Sequence, residues 1–319
     1  MSEAIRVGVV GLGSFGSHHA RHYAALKGAQ LVAVADADFS RASAAAEKYG
    51  AAAYRDHRGL IGVVDAASVT VPTGEHHAVA RDLIDAGIHV LVEKPLAADR
   101  AQAADLVAHA ERTGVVLQVG HIERFSPAFR ALAERVRAPR LMAFVRHSIW
   151  QGRAADVDVV RDLMIHDIDL ALTLARAPVT AVVASGATVV TPNYDVAEAR
   201  IEFATGVVAT LAASRVAARP VRTAEVVMPG CRLTADFAGP GLSLISHADG
   251  GPIDNEAIPL APADNLAAEI AAFLGSVATG ATASVDGRAG LDAVQVADMI
   301  LSAIAQRAVT PSLNGDATP

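Results

Sequence analysis

The 319-residue sequence predicts an α/β protein in two parts. Residues 1–120 should form a doubly wound parallel sheet, and residues 121–319 an α+β domain with an open, mostly antiparallel sheet. Three observations predict this. The chain is too long for one ordinary hydrophobic core. Short apolar runs alternate with helical patterns as far as residue 120, which is the mark of a parallel sheet with helices on both faces. After residue 121, longer strand-like runs follow one another with turn residues between them.

The elements follow in order. IRVGVV (5–10) is a strand, and LGSFGSHHARHYAAL after it has helical character. LVAVAD (31–36) is the next strand, and the helix FSRASAAAEKYG stops at Gly50. AASVTV (66–71) ends at Pro72. EHHAVARDLIDAG (75–87) is a helix closed by Gly87, and HVLVEKP (89–95) is a strand that ends in charges before proline. Asp99 N-caps a helix over 99–114, and VVLQVG (115–120) is a strand. In the second part LMAFVRHSIW, TAVVASGATVV, VAEARIEFATGVVATLAAS and RTAEVVMPGCRLTADF read as strands, with Ala204-Thr205-Gly206 as a hairpin turn. VVRDLMIHDIDLALTLARA is a helix among them. DNLAAEIAAFLGSVATG (264–280) and GRAGLDAVQVADMILSAIAQRA (287–308) are late helices that have the option of packing back on the first domain. SLNGDATP reads as a frayed tail.

Composition removes several function classes. The net charge is -7, and no basic block or basic-aromatic stripe occurs, so nucleic acid is not an expected partner. Cys231 is the only cysteine, which excludes an intramolecular disulfide and a thiolate metal cluster. His18 and His22 are one helical turn apart, and His121, His147 and His166 are scattered. None has zinc-ligand spacing with a third ligand, so no metal is expected. The start MSEAIRVGVVGLG lacks the features of a signal peptide, and no uncharged apolar run is long enough to span a bilayer. The expectation is a soluble cytoplasmic protein without a membrane partner.

GLGSFG (11–16) fits G-x-G-x-x-G. The pattern alone also fits a glycine turn used only for packing. Here it follows a strand and opens a helix, and Asp36 ends the second strand. That context points to a dinucleotide. Gly11 permits the tight turn, Gly13 lets a pyrophosphate approach the backbone, and Gly16 lets the helix pack on the sheet. The helix start offers N–H groups and partial positive charge. Asp36 would accept hydrogen bonds from the ribose hydroxyls and repel a 2′-phosphate, which favours NAD over NADP. Gly11, Gly13, Ser14, Phe15, Gly16 and Asp36 are the candidate contacts.

Glu93-Lys94-Pro95 ends a buried parallel strand, on the side where such sheets hold ligands. A lysine there can hold a substrate hydroxyl and help remove its proton. An exposed, salt-bridged pair fits the same residues. DLMIHDID (162–169) raises a sharper question, because it places three carboxylates and a histidine in an apolar run. On a helix Asp162, His166 and Asp169 share one face, Asp167 points away, and apolar residues cover the rest. Such a polar stripe is costly unless it lines a cleft or is fully paired, and titratable groups in a cleft are candidates for acid–base chemistry.

GLGSFG, VPTGEHHAVA, VEKP, VGHIERFSP and DLMIHDID, in this order and spacing, resemble the Gfo/Idh/MocA oxidoreductases. The resemblance covers nearly the whole chain, although the last hundred or so residues carry no specific motif. It implies an NAD-dependent dehydrogenase that turns a secondary hydroxyl of a sugar or polyol into a ketone. It makes Lys94 catalytic, with a cis bond to Pro95. It places Glu93 near the nicotinamide ribose, Pro72, Thr73 and His76 beside the cofactor, and Gln118 at the nicotinamide end. Asp162 and His166 match the family's Asp-x-x-x-His. His166 becomes the general base or proton relay, Asp162 binds a sugar hydroxyl, and Asp169 orients His166 or caps a buried pair. Arg124 becomes a substrate contact, while Ser126 stands where many relatives have Asn.

Within the family, VGHIERFSPAF and DLMIHDIDLAL look closest to members that oxidise C3 of UDP-N-acetylglucosamine, a nucleotide sugar whose keto product goes to an aminotransferase for 3-amino sugars of the lipid A type. Arg124, Arg146, Arg153 and Arg161 are available to a diphosphate. A free-sugar or inositol dehydrogenase and a non-catalytic NAD or sugar sensor are the alternatives. Val207, Ala209, Leu211 on one strand face and Val208, Thr210, Ala212 on the other all lack charge, which suggests a sheet covered by another subunit. A homodimer or homotetramer is expected.

Overall fold

A computed structural model describes residues 4–152, 154–239, 241–247 and 252–309. The chain divides into two compact units. Residues 1–134 and 259–295 form the first, and residues 135–258 and 296–319 the second. The sequence expectation put the division after residue 120. The segment 121–134 belongs to the first unit instead, and the late segment 259–295 joins that unit too, the option left open for the late helices. Arg153 and the tail SLNGDATP lie outside the described residues.

The first unit is built on a six-stranded parallel sheet. Its strands are β1 (Ile5–Val10), β2 (Ala29–Ala35), β3 (Ala52–Tyr54), β4 (Ala66–Val69), β5 (His89–Glu93) and β6 (Leu117–Gly120), in the order β3-β2-β1-β4-β5-β6. Between them run α1 (Ser14–Ala25), α2 (Phe39–Tyr49), α3 (Thr73–Asp85) and α4 (Arg100–Thr113), and α5 (Pro127–Arg135) follows. β4 is buried along its whole length, which is why its sequence is a continuous run of small and apolar residues without alternation. The helix ends were legible. Asp38 accepts from the Ser40 N–H and Asp99 from the Gln102 N–H, while Gly50 and Gly114 end α2 and α4 in the left-handed conformation. β3 and α5 were not foreseen: a three-residue strand carries no period, and the segment around α5 was read for its motif and given no element.

The second unit contains β7 (Leu141–His147), α6 (Ile165–Ala175), β8 (Val179–Ala187), β9 (Val196–Phe203), β10 (Val208–Ser214), β11 (Val221–Met228), β12 (Cys231–Asp236), β13 (Gly241–His247) and β14 (Ile253–Ile258). The sheet order is β14-β13-β12-β11-β7-β10-β9-β8. Every neighbouring pair is antiparallel except β7 and β10, which run parallel. The turn at 204–206 joins β9 to β10, with Gly206 at φ 81°. Val207, Ala209 and Leu211 are buried, whereas Val208, Thr210 and Ala212 are not. On that open face Leu141 pairs with both Val208 and Val227, and Leu141, Val183 and Val227 are exposed.

The covered face of the second sheet carries a buried ion pair. The Arg146 guanidinium on β7 donates from Nε and Nη2 to both Asp167 oxygens on α6, at 2.8–3.1 Å, and both side chains are almost fully buried. Asp195, before β9, is also buried. Burial pushes its carboxyl up, but the backbone N–H groups of Thr191, Val189 and Val190 and the Thr191 hydroxyl outweigh that and hold it at about 2.

The last two helices are α7 (Asn265–Thr279) and α8 (Gly287–Val309). Leu266, Ile270 and Phe273 of α7 enter the same core as Val7, Val9, Tyr23, Leu31 and Leu91. Val119 on β6 donates its N–H to the Val285 carbonyl at 2.9 Å. The boundary between the units falls inside α8. No helix among the described residues is long and apolar enough to cross a membrane.

Asp167→Asn should destabilise the protein by about 3–5 kcal/mol, because it removes the charge onto which the buried Arg146 guanidinium is forked. Denaturant unfolding monitored by circular dichroism measures the loss, and a change below about 1 kcal/mol would show that the pair does not hold α6 to the sheet.

Candidate active site

In the first unit, the glycine turn opens on a cavity of about 820 Å³, lined in part by Gly11, Gly13, Ser14, Phe15, Asp36 and Pro72. Six of the predicted cofactor residues thus meet in one place. Gly11 has φ +87°, and a side chain there would strike the Thr70 backbone at 2.8 Å. A side chain at Gly16 would lie 1.8 Å from the Gly11 carbonyl oxygen, so α1 packs on the turn only through glycine. Gly13 is different: nothing lies within 4 Å of where its side chain would stand. That open space is what a backbone receiving a pyrophosphate requires.

The start of α1 fits an anion as well. Asp38, Asp99 and Asp264 cap α2, α4 and α7. At α1 no side chain caps the helix and no acid stands in its first turn. Its first N–H groups therefore keep their capacity for a phosphate. Asp36 lines the cavity with its carboxylate already oriented by two backbone donors, Leu12 N–H at 2.5 Å and Asp38 N–H at 2.8 Å. Each oxygen keeps a lone pair for a ribose hydroxyl. The residues present fit NAD.

The other predicted cofactor residues stand outside the lining of that cavity. Thr73 begins α3. The buried His76 ring lies between two carbonyls, with Nδ1 2.8 Å from Pro95 O and Nε2 2.9 Å from Val71 O. Burial lowers its pKa against the opposing pull of those carbonyls. His76 therefore braces the turn after Lys94 against the end of β4. The Lys94–Pro95 bond is cis, and Lys94 is half-buried. Glu93 accepts from Lys94 N–H at 3.2 Å and meets the His19 ring at 3.0 Å. Burial would raise the Glu93 carboxyl, yet the His19 hydrogen bond and charge, with Lys94, bring it below its ordinary value. Gln118 is fully buried, its amide donating to the Glu269 main-chain carbonyl at 3.1 Å. Arg124 is half-buried in a short 3₁₀ turn, Ile122–Phe125. Ser126 accepts from the Phe129 N–H at 3.1 Å and so caps α5, a structural use for a residue that departs from the family's Asn.

In the second unit, DLMIHDID is not a uniform α-helix. Val160–Met164 is a single π-helical turn, with the Ile165 N–H reaching Val160 O, and α6 begins only at Ile165. Asp162 lies in that turn, so the 3.6-residue spacing expected from Asp162 to Asp169 holds only from Ile165 onward. Inserted π-turns of this kind occur frequently at functional sites. Asp162 and His166 are half-buried and Asp169 is buried. Asp167, read as pointing away from the polar stripe, is itself buried on Arg146. That pairing also corrects the reading of Arg146 as a cation for a diphosphate. Arg161 is similarly engaged, with Asp158 at 3.0 Å and Asp298 at 2.7 Å.

Sequence reasoning missed Arg215. Its buried guanidinium donates to Ala154 O at 2.6 Å and Val157 O at 2.7 Å, lies 5.9 Å from the Trp150 ring centre, and comes within 3.9 Å of the Asp162 carboxylate. It fastens the loop that leads into Asp162. Only contacts distant in sequence reveal this, so no local pattern could have found it.

The first unit's sheet order, with its ligand-ready crevice at the strand ends, is that of a Rossmann-type dinucleotide-binding protein. The family follows from the match of whole domains. A model of the oxidoreductase family's NAD-binding Rossmann fold matches residues 5–121, and the Gfo/Idh/MocA C-terminal domain matches residues 130–230. The chain belongs to the Gfo/Idh/MocA family and is an NAD-binding oxidoreductase. It is 38% identical over 293 residues to a UDP-N-acetylglucosamine 3-dehydrogenase of Acidithiobacillus ferrooxidans, covering 90% of this chain and 93% of that one. A solved structure of that organism's UDP-N-acetylglucosamine 3-dehydrogenase GnnA matches with a TM-score of 0.90 at 36% identity, over 95% of this chain and 98% of that one. An inositol 2-dehydrogenase of Rhizobium meliloti is 27% identical over 95% of this chain and 98% of its own.

Asp36→Ser should weaken NAD binding about tenfold to a hundredfold, the equivalent of a lost hydrogen bond to a charged group, and raise the relative affinity for NADP. Calorimetric titration with each dinucleotide measures both, and an unchanged NAD affinity would remove Asp36 from the ribose.

Proposed function

We propose that this enzyme uses NAD to oxidise the C3 hydroxyl of UDP-N-acetylglucosamine to a ketone. The observation that carries the reading is the 38% identity, over 90% of the chain, to an enzyme named for that reaction. NAD, when bound, supplies the acceptor for the hydride that leaves the carbon. Lys94 holds the reacting hydroxyl, and His166, with Lys94, takes its proton. Asp162 binds a neighbouring sugar hydroxyl, with Arg215 holding the loop before it. Asp169 orients His166 from behind, and Arg124 contacts the substrate. Glu93, Pro72, Thr73, His76 and Gln118 serve the nicotinamide half of the cofactor, directly or by holding the backbone that meets it.

A free polyol is the second reading, supported by the inositol 2-dehydrogenase relative that spans 95% of the chain. The open face of the second sheet, where Leu141, Val208 and Val227 adjoin, is covered in this proposal by a second copy, giving a homodimer or homotetramer. The enzyme works in the cytoplasm, and its keto product passes to an aminotransferase for 3-amino sugars of the lipid A type.

Incubation with NAD and UDP-N-acetylglucosamine, UDP-glucose, myo-inositol or free sugars, with hydroxylamine to trap ketone, should yield NADH with UDP-N-acetylglucosamine alone. NADH from a free polyol only would overturn the substrate. No NADH from any of them, despite NAD binding, would favour a sensor. Lys94→Ala should cut turnover at least about a hundredfold while NAD still binds; unchanged turnover would remove Lys94 from the chemistry. Light scattering at working concentration should give at least a dimer, and a monomer would leave the apolar sheet face without its proposed cover.

A further inference from the structure

Behind the Glu93-Lys94-Pro95 turn lies a buried polar cluster, of which His19 and Glu269 have no part in the proposed reaction. His19 on α1 and Glu269 on α7 are both completely buried. The His19 ring meets Ser68 Oγ on β4 through Nδ1 and Glu93 through Nε2, each at 3.0 Å. Tyr23, one helical turn along α1, meets the same Ser68 oxygen at 2.8 Å. One ligand-type atom each from His19, Glu93 and Glu269 falls within 4.8 Å of the others. Among the described residues, neither oxygen of the Glu269 carboxyl has a hydrogen-bond donor, and neither does the buried Gln118 side-chain oxygen from β6, although the Gln118 amide is fixed to the Glu269 backbone.

Around Glu269, α1 presents His19 and Tyr23, β5 the Glu93 carboxylate with Lys94 following it, and β6 the Gln118 amide, while the Ile122–Phe125 turn packed on α7 carries Glu123 and Arg124. The His19 and Lys94 groups act on Glu93, and neither offsets a charge on Glu269, so an ionised Glu269 would stand fully buried beside the Glu93 carboxylate, which costs several kcal/mol. One of the two carboxyls carries a proton or shares a cation. Glu93 already has His19 on one oxygen and the Lys94 N–H on the other. Glu269 has neither, so the proton belongs there. Burial, and then the Glu93 charge, push its carboxyl well above the ordinary value.

We infer that Glu269 stands in the folded enzyme as a neutral carboxylic acid, and that it is a positioning residue. Its proton spares the Glu93 carboxylate a second buried negative charge beside it, and so holds the turn that presents Lys94. The role of that turn rests on the proposed function; the protonation of Glu269 does not. The side chains of His19, Glu93 and Glu269 have the composition of a divalent-cation site. The proton fits better because the His19 nitrogen points directly at Glu93 at hydrogen-bond distance, with no gap for an ion between them.

Glu269→Gln keeps the shape and removes the titration. A carboxyl whose pKa is raised on folding gives stability that is complete below its unfolded value and is lost as pH rises toward the folded one. The Tm of E269Q minus that of the parent should therefore increase as pH rises above the ordinary carboxyl range. A flat difference would overturn the neutral acid. Infrared spectra of the parent with isotopically labelled glutamate should show a protonated carboxyl band at neutral pH, absent from E269Q. If E269Q does not fold, the band in the parent decides, and its absence overturns the inference. Elemental analysis that finds a divalent ion in the parent but not in E269Q would make the trio a metal site instead. The positioning role is read in turnover: the alkaline fall in kcat should be smaller in E269Q, and identical pH profiles would overturn that role alone. The folding and infrared measurements need no substrate, so a wrong sugar cannot be mistaken for a wrong proton.

Discussion

A carboxylate taken out of water needs a cation, a set of N–H donors or a proton, or its burial costs several kcal/mol. Much of this molecule's order follows from how its buried and half-buried acids meet that demand. Asp167 takes the fork of Arg146 and fixes α6 to the second sheet. Asp195 takes three consecutive backbone N–H groups and folds the 189–191 segment around itself. Asp36 takes two and ties the glycine turn to the end of β2. Glu93 takes His19 and joins α1 to the turn of Lys94. In each case a charge that would be a liability in an apolar setting becomes a fixed point.

DLMIHDID condenses the same logic into eight residues. Its three carboxylates have three fates. Asp167 is neutralised by Arg146 in the interior, Asp169 is buried on the same helix, and Asp162 stays half-buried in the π-turn near Arg215. The segment is apolar because it packs on a sheet. Its acids are tolerated because the structure gives them particular partners, and the one left most open lies where the backbone departs from regular helix.

How much of this could be read beforehand depended on the range of the interaction. The strands of the first sheet, the Asp and Gly helix ends and the glycine turn are local, and the sequence reading placed β1 at its observed bounds of Ile5–Val10. The meeting of the turn residues with Asp36 was legible because motif and acid share one βαβ unit. Arg146 with Asp167, Arg215 with the 154–157 carbonyls, and His19 with Glu93 are pairs between distant elements, and no periodicity announces them. The π-turn was hidden for another reason: one extra residue in a helical turn leaves composition untouched and shifts only the phase.

α7 returns from the far end of the chain to place Leu266, Ile270 and Phe273 against Val7, Tyr23 and Leu91. During synthesis the ribosome therefore releases the strands of the first sheet long before the helix that covers them. The nascent chain must carry an incomplete core through the making of the entire second sheet. Closure of that core couples residues of β1 to a helix more than two hundred positions later, and a message cut short before α7 would yield a sheet with a bare apolar flank, a substrate for chaperones and proteases.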